Sequence, residues 1–272
     1  MKTTIFVNPI SSVKTLEIDK MPGHWLLARL GKRVLRPGGM ELTRKMLETI
    51  DIQTTDNVVE FAPGLGTTAR LALACNPASY TAIERDPVAA DSVCKYLIGP
   101  NQRCLVGRAE ATGLPDSSAT VVYCEAMLTM QPQQKKVKIV QEACRILEPG
   151  GRYGLHELCL LPDDLHENIK EEIRTALSDV IHVGARPLTP SEWRQLLEEN
   201  GFEVVEEVKA PMHLLRLNRV IRDEGVLGFS RFVFNVVRHS IARKRILNMR
   251  KVFKQYERYL AAILLVAVKT KV

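Results

Sequence analysis

An apolar run with one carboxylate, followed by a glycine-rich turn, is the segment whose residue types and spacing could do chemistry. Residues 58–62 are apolar apart from Glu60, and Pro-Gly-Leu-Gly follows at residues 63–66. Glycines let the backbone turn tightly and approach a ligand closely, and a helix that begins after them offers free N–H groups. Glu84 ends the next β-rich run, where a carboxylate can accept both hydroxyls of a ribose. The pattern therefore indicates a site for an adenosine-containing ligand.

The ligand of this turn has more than one interpretation. Residues 64–69 read Gly-x-Gly-x-x-Ala, the pyrophosphate fingerprint, so an NAD-dependent oxidoreductase that uses Gly64, Gly66 and Ala69 is one alternative. Glu60 favours a different ligand, because a negative charge just before the turn suits a cationic amine better than a pyrophosphate. A non-catalytic, membrane-associated binding protein on the same fold is a third hypothesis.

Short β-rich runs alternate with helical periods from residue 57 onwards. The runs that predict strands begin at residues 57, 80, 104, 120, 152, 203 and 260. Between them, the spacing of apolar residues predicts helices, for example over residues 87–97 and 133–147. This alternation predicts an α/β fold, with a Rossmann-like, doubly wound, seven-stranded sheet that carries helical cap insertions.

Three helical segments do not fit the alternation and are expected to form a cap. They are residues 1–45, 161–186 and 211–258. We expect a cofactor-binding core at residues 46–160 and a last strand within residues 259–272, all in a single domain of 272 residues. The apolar run of that last strand is too short to span a bilayer as a helix, which needs roughly 20 residues.

Two further segments extend the pattern of the glycine-rich turn. Residues 108–115 follow the third strand, and Leu-Glu-Pro-Gly-Gly at residues 147–151 leads into the fifth. With them, the chain resembles the class I S-adenosylmethionine-dependent methyltransferases over residues 40–210 and the final strand. It is most similar to the small-molecule group of ubiquinone/menaquinone-type C-methyltransferases, the methyltransferase type 11 domain. The resemblance implies an enzyme that uses S-adenosylmethionine to methylate a small-molecule acceptor, which could be lipophilic or anionic.

The resemblance also assigns cofactor-binding residues. It places the methionine part at Glu60 and the turn after it, the ribose at Glu84, and the adenine at the loop after the third strand. The expected cofactor-binding set is Glu60, Ala62, Gly64, Gly66, Thr67, Glu84, Arg85, Ala109, Glu110 and Glu125.

Two positions differ from the family pattern. Ala62 stands where the first glycine of the turn is usual, and alanine fits there if its φ is negative. Arg108 stands where the adenine loop usually has an aspartate. The adenine amino group then needs another acceptor, which is Glu110 or a backbone carbonyl.

Methyl transfer is an in-line displacement, so the protein mainly positions the acceptor and, where needed, removes a proton. Glu125 follows the fourth strand, where it could orient the acceptor, act as a base or contact the cofactor's cationic centre; a salt-bridged structural acid is the alternative. His156 ends the fifth strand and could be the base, although a hydrogen-bonded structural histidine competes with that role. His24, His182 and His213 lie in the cap segments and could line the entrance.

The formal charge of +7 is concentrated in residues 238–258, which hold eight Lys and Arg residues against Glu257. Apolar residues at helical spacing make this segment an amphipathic basic helix. A solvated face, contact with an anionic acceptor, and peripheral contact with an anionic membrane are the interpretations that we keep. No aromatic-rich platform for RNA accompanies the helix, so no nucleic-acid partner is expected.

Six cysteines are spread through the chain without a C-x-x-C pair, which argues against zinc, and no metal is expected. No signal peptide is recognisable at the N-terminus. Together these features predict a cytoplasmic protein with reduced thiols, and they do not indicate an oligomeric state.

Overall fold

The computed structural model describes residues 17–270, which form a seven-stranded sheet with helices on both faces. The strands are β1 (Asn57–Phe61), β2 (Ser79–Glu84), β3 (Gln102–Val106), β4 (Ala119–Glu125), β5 (Leu147–Leu160), β6 (Phe202–Pro211) and β7 (Leu260–Lys269). The helices are α1 (Gly23–Arg29), α2 (Gly39–Ile50), α3 (Thr67–Leu73), α4 (Pro87–Cys94), α5 (Gln133–Ile146), α6 (Glu167–Ile181), α7 (Pro190–Glu198), α8 (Leu217–Arg238) and α9 (Ser240–Gln255). Residues 1–16 of the expected N-terminal cap and residues 271–272 of the expected last strand lie outside the described residues.

The sheet has the strand order β3-β2-β1-β4-β5-β7-β6. Strands β1 to β5 run parallel, whereas β7 is antiparallel to both of its neighbours, β5 and β6. The order reverses between β1 and β4, and in such sheets ligands bind at this point, beyond the C-terminal ends of the strands. The predicted Rossmann-like, doubly wound α/β fold with seven strands is confirmed.

Two apolar layers cover the sheet. On one face, α2 and α4 pack side chains such as Met46 and Val93 against the strands. On the other face, α5 and α7 pack Ile139 and Trp193. Strand β7 is buried over residues 260–267. Burial on both faces explains why its sequence is a continuous apolar run rather than an alternating one.

Helices α1, α6, α8 and α9 pack beside the sheet in an apolar cluster that includes Leu27, Phe232 and Met249. These are helices that the sequence placed in a cap. One expected boundary needs correction, because residue 45 lies inside α2, which packs on β5 and β7 and so belongs with the sheet. Within residues 17–270, none of the helices combines the length and the apolarity needed to cross a bilayer.

Candidate functional site

A cavity of about 620 Å³ opens at the C-terminal ends of β1, β2 and β4, where the strand order reverses. The turn after β1, the loop after β3 and parts of residues 22–36 also contribute to its wall. The expected cofactor-binding residues that line it are Glu60, Ala62, Gly64, Thr67, Glu84, Arg85, Ala109, Glu110 and Glu125. The cavity therefore brings together the whole expected set apart from Gly66.

The two glycines of the turn have different roles. A Cβ built on Gly64 would meet only the carbonyl oxygen of Ala62, 4.0 Å away, so the space above Gly64 is open. A Cβ built on Gly66 would lie 3.0 Å from the ring of Tyr96. Both glycines have positive φ, 57° and 68°. Gly64 thus leaves room for a ligand, whereas Gly66 leaves room for the packing of Tyr96.

Ala62 corrects the expected geometry of the turn, because its φ is 53° rather than negative. Its N–H donates to the carbonyl oxygen of Ile83 at 2.9 Å, which ties the turn to β2. Ala126, just after β4, is also left-handed, with a φ of 51°. This conformation costs an L-residue about 1 kcal/mol, and such strained positions cluster at functional sites.

Backbone donors hold Glu84 at the end of β2. Its Oε2 accepts a hydrogen bond from the N–H of Gly64 at 3.1 Å, and its Oε1 accepts one from the N–H of Asp86 at 3.0 Å. Burial raises the pKa of the Glu84 carboxyl, although these hydrogen bonds oppose it. Each carboxylate oxygen has a second acceptor position, so both can still accept a ribose hydroxyl.

Glu60 is a buried carboxylate on β1, and its surroundings bring its pKa close to neutral pH. Its Oε2 accepts hydrogen bonds from the hydroxyls of Tyr80 and Tyr123, the latter at 2.8 Å. Burial raises the pKa of Glu60 to about 7, and the two hydroxyls only partly oppose that effect. A bound cation would favour the ionised form.

Near the loop after β3, the cavity has an apolar wall and one ion pair. Ala109 lines the cavity together with Ile83 and Ile139. Glu110 pairs with Lys135 at 2.9 Å. Burial alone would raise the pKa of Glu110, but the hydrogen bond and charge of Lys135 lower it. The cavity wall here is therefore apolar, with one paired carboxylate, Glu110, beside it.

Glu125 is the centre of a buried polar cluster. Its Oε1 accepts a hydrogen bond from the Thr43 hydroxyl at 2.5 Å and lies 2.8 Å from Nδ1 of His156 and 3.2 Å from Nε of Arg36. The Thr68 hydroxyl donates to its Oε2. Burial alone would raise the pKa of Glu125, but the Arg36 cation and the hydrogen bonds from His156 and Thr43 hold it at about 2. The group is therefore a fixed negative charge and a poor proton acceptor.

His156 is not positioned to act as a base. Its side chain is fully buried, with Nε2 lying 2.6 Å from the carbonyl oxygen of Pro37 and Nδ1 lying 2.8 Å from Glu125. Both ring nitrogens are engaged, and the residue does not line the cavity. The expected catalytic role is thus corrected: His156 is a structural histidine that orients Glu125 and ties Pro37 to β5.

Arg36 lines the cavity and pairs with Glu125, and the sequence did not single it out. It lies in the segment before α2, and its partner Glu125 follows β4, so no local spacing connects the two. Glu157, next to His156 on β5, also acts on this region. Its carboxylate accepts hydrogen bonds from the N–H groups of Met127 and Leu128 at 2.8 and 2.7 Å, which fixes the turn after β4 beside the cavity.

An apolar pocket of about 110 Å³, called here the inner pocket, adjoins the cofactor cavity. His24, Ala126 and Met130 line both spaces. Burial first, and the charge of Arg85 second, lower the pKa of His24 to about 4, so its imidazole is neutral near pH 7. A neutral ring nitrogen can accept a hydrogen bond from an O–H or N–H group of an acceptor.

The two other cap histidines lie away from this junction. His182 follows the last turn of α6 and lines neither the cofactor cavity nor the inner pocket. His213 follows β6, and its Nε2 lies 3.1 Å from a carboxylate oxygen of Glu257. Of the three histidines expected at the entrance, only His24 borders the cavity.

Comparison with known proteins places the chain in a class. Residues 58–151 match a methyltransferase domain. The chain is also 33% identical, over 240 residues, to an uncharacterised protein of Haemophilus influenzae, a match that covers 86% of this chain and 91% of that protein. Fold, cavity and match together define a class I methyltransferase with S-adenosylmethionine as its cofactor. Within that class, the chain belongs to the same family as the Haemophilus influenzae protein.

Solved structures share the fold at low sequence identity. Phosphoethanolamine N-methyltransferase 2 of Haemonchus contortus, solved with S-adenosyl-L-methionine, is similar with a TM-score of 0.70 and 13% identity, over 100% of this chain and 62% of that one. The [4+2]-cyclase SpnF is similar with a TM-score of 0.69 and 16% identity, over 91% of this chain and 94% of that one. The comparisons support neither the NAD-dependent nor the non-catalytic alternative.

Proposed function

We propose that the protein transfers the methyl group of S-adenosylmethionine to a lipophilic small molecule bound between the cofactor cavity and the inner pocket. The observation that carries the proposal is the junction at His24, Ala126 and Met130, where a charged cavity meets an almost wholly apolar one. Glu84, whose carboxylate can accept hydrogen bonds from ribose hydroxyls, lies in the cofactor cavity, and mostly apolar side chains line the inner pocket. The resemblance to quinone-type C-methyltransferases and a cytoplasmic location are parts of this proposal.

The residues of the cavity suit the cofactor by their donor and acceptor chemistry. Glu84 would accept hydrogen bonds from the ribose hydroxyls. The open space above Gly64 would let the cofactor lie close to the backbone of the turn. Glu60 would accept the amino group of the methionine part, with its ionised form favoured by that cation. Ala109 and Glu110 would border the adenine.

When bound, S-adenosylmethionine supplies a methyl group on a cationic sulfur, which becomes a neutral thioether as an electron pair of the acceptor atom forms the new bond to the methyl carbon. Glu125 would hold a negative charge near the reacting end of the cavity, which favours binding of the cation. Because its pKa is about 2, Glu125 does not take the proton that the acceptor loses. His156 acts only through Glu125 and is a positioning residue.

His24 is the group that we assign to the acceptor. It borders both spaces, and its neutral imidazole can accept a hydrogen bond from an O–H or N–H group of the acceptor and so orient the molecule. A pKa of about 4 makes it a weak base, so any proton released at neutral pH passes on to water.

Ligand binding tests the proposal directly. In isothermal titration calorimetry and thermal unfolding with the full chain, we expect S-adenosylhomocysteine to bind with a micromolar Kd and to raise the Tm by several degrees. NAD at the same concentration is the control and should leave the Tm unchanged. Protection by NAD alone, or by neither ligand at millimolar concentration, would overturn the proposed function.

A further inference from the structure

A separate cavity of about 700 Å³ lies between the segment that joins β6 to α8 and helix α9; we call it the outer cavity. Its apolar lining includes Leu214, Leu215 and Phe253. Its charged lining includes Arg250, Lys251 and Lys254, which succeed one another along α9. The cavity is thus both hydrophobic and strongly basic.

The three cations of α9 differ from the other charged groups of the outer cavity. His213 and Arg216 both pair with Glu257. The side chains of Arg250, Lys251 and Lys254, by contrast, form no hydrogen bond or ion pair with any residue from 17 to 270. Like charges four residues apart on a helix repel each other, so an anion bound among them would relieve that repulsion.

The outer cavity and the inner pocket share a wall. Met212, Leu214 and Phe253 line both of them. The inner pocket in turn meets the cofactor cavity at His24 and Met130. The three spaces therefore follow one another from the cofactor end of the sheet to the basic side of α9, with apolar side chains in the middle.

We infer that the outer cavity binds an amphiphilic anion, and that the acceptor belongs to this chemical class. Its carboxylate or phosphate group pairs with Arg250, Lys251 and Lys254, and its apolar body packs on Leu214 and Phe253 towards the inner pocket. This inference rests on the proposed function for the identity of the ligand as acceptor, but the binding site stands on the outer cavity alone.

Calorimetry with short-chain probes below their micelle concentration tests the site. We expect octyl phosphate and octanoate to bind about tenfold more tightly than 1-octanol or inorganic phosphate, because only the first two satisfy both the charged and the apolar lining. Added salt should weaken the binding of the two anions and leave that of 1-octanol unchanged. Equal binding of octyl phosphate and inorganic phosphate would overturn the amphiphile and leave a plain anion site.

Charge-matched variants locate the site. We expect the affinity for octyl phosphate to fall about tenfold or more in the triple variant Arg250→Gln, Lys251→Gln and Lys254→Gln. A control variant removes three exposed cations that do not line the outer cavity, through Lys45→Gln, Lys138→Gln and Lys244→Gln. Its affinity for octyl phosphate should change less than about twofold. Equal losses in both triple variants would show a general charge effect and overturn the site. Both variants should bind S-adenosylhomocysteine like the unchanged chain, which separates this result from a failure of the proposed function.

Two further readouts separate a small-molecule site from a membrane surface and test the acceptor class. Binding to phosphatidylglycerol vesicles without any binding of monomeric octyl phosphate would assign the cations to a lipid surface and overturn the proposal. With labelled S-adenosylmethionine and a cell extract, labelled products should enter the organic phase and be retained by an anion exchanger. Labelled products that stay in the aqueous phase would overturn the acceptor class.

Discussion

The carboxylates at the cofactor end of the sheet have donors fixed by the fold, whereas the three cations of α9 face a cavity with no partner from the described residues. Glu84 is held by two backbone N–H groups, and Glu125 by four side chains. Arg250, Lys251 and Lys254 extend from one exposed helix face. The cofactor is always the same molecule, so its site can be rigid before binding. The cations of α9 lack a counter-ion among the described residues, so their site is complete only when a ligand supplies one.

The largest effect is expected at the cofactor end of the sheet, called here the rigid end, from Arg36→Gln. Glu125 would keep a buried charge with one cation fewer, so we expect the free energy of unfolding to fall by about 3 kcal/mol at neutral pH. The folded pKa of Glu125, about 2, lies below its ordinary 4.5, so its ionised form contributes stability that is present above the ordinary pKa and is lost as the pH falls through the folded one. Urea unfolding at several pH values should show the deficit of the variant shrinking towards acid pH.

Arg33→Gln is the matched control for Arg36→Gln. Arg33 lines the same cavity but is exposed, and its contacts with Glu224 and Thr67 run through its backbone. The control should cost less than about 0.5 kcal/mol. Similar losses in the two variants would mean that the Glu125 cluster is not special to the rigid end.

Glu84→Ala should have the next largest effect, on cofactor affinity. It removes the expected acceptor of the ribose hydroxyls and frees the N–H of Gly64, so we expect the Kd of S-adenosylhomocysteine to rise roughly 30-fold, about 2 kcal/mol. Glu110→Ala removes a carboxylate of the same cavity that is already paired with Lys135, and should cost less than about fivefold. Unchanged affinity in Glu84→Ala would contradict the ribose assignment.

Glu60→Gln tests both properties of the cofactor end, because it should weaken binding of the cofactor while it stabilises the fold. The folded pKa of Glu60, about 7, is raised from 4.5, so the protonated form stabilises the fold below the ordinary pKa and this contribution is lost as the pH rises through 7. The glutamine variant without ligand should therefore be about 1–2 kcal/mol more stable than the unchanged chain at pH 8, with the gain vanishing towards pH 5. It should bind S-adenosylhomocysteine more weakly at pH 8. The exposed Glu203→Gln should show neither change.

The smallest effect is expected from Ala62→Gly, which relieves a left-handed φ of 53° in the turn. Thermal unfolding should show a gain of about 0.5–1 kcal/mol, with the affinity for S-adenosylhomocysteine changed less than about twofold. Ala72→Gly, in the last turn of α3, removes a buried methyl group and should instead destabilise by about 1 kcal/mol. A loss in both variants would mean that the turn is not strained.

The same contrast explains what the sequence could predict. The strands and helices follow from local periodicity, and the glycine turn and Glu84 follow from short spacings, so the fold and most of the cofactor cavity were accessible. Contacts between distant segments were not. The Arg36–Glu125 pair joins the residues before α2 to the end of β4, and the partners Tyr80 and Tyr123 of Glu60 emerge only once β2 and β4 are placed on either side of β1.

Two errors have physical causes of the same kind. His156 looked available because a strand end near a cavity exposes about every second side chain. Its ring is nevertheless enclosed, because the residues before α2 fold back and place the carbonyl of Pro37 against it. The positive φ of Ala62 accompanies a hydrogen bond from its N–H to Ile83 on the neighbouring strand, a long-range contact that no rule for a single residue contains.

Strand β7 lies between β5 and β6, so the order in which the chain is made differs from the order in which the sheet can close. Within the described residues, β6 pairs only with β7, which is separated from it by α8 and α9. The chain is synthesised at about 5–20 residues per second, so β7 is made several seconds after β6. The helices between them have local contacts and can form in that interval. The cap would then be assembled before the sheet on which it rests is complete.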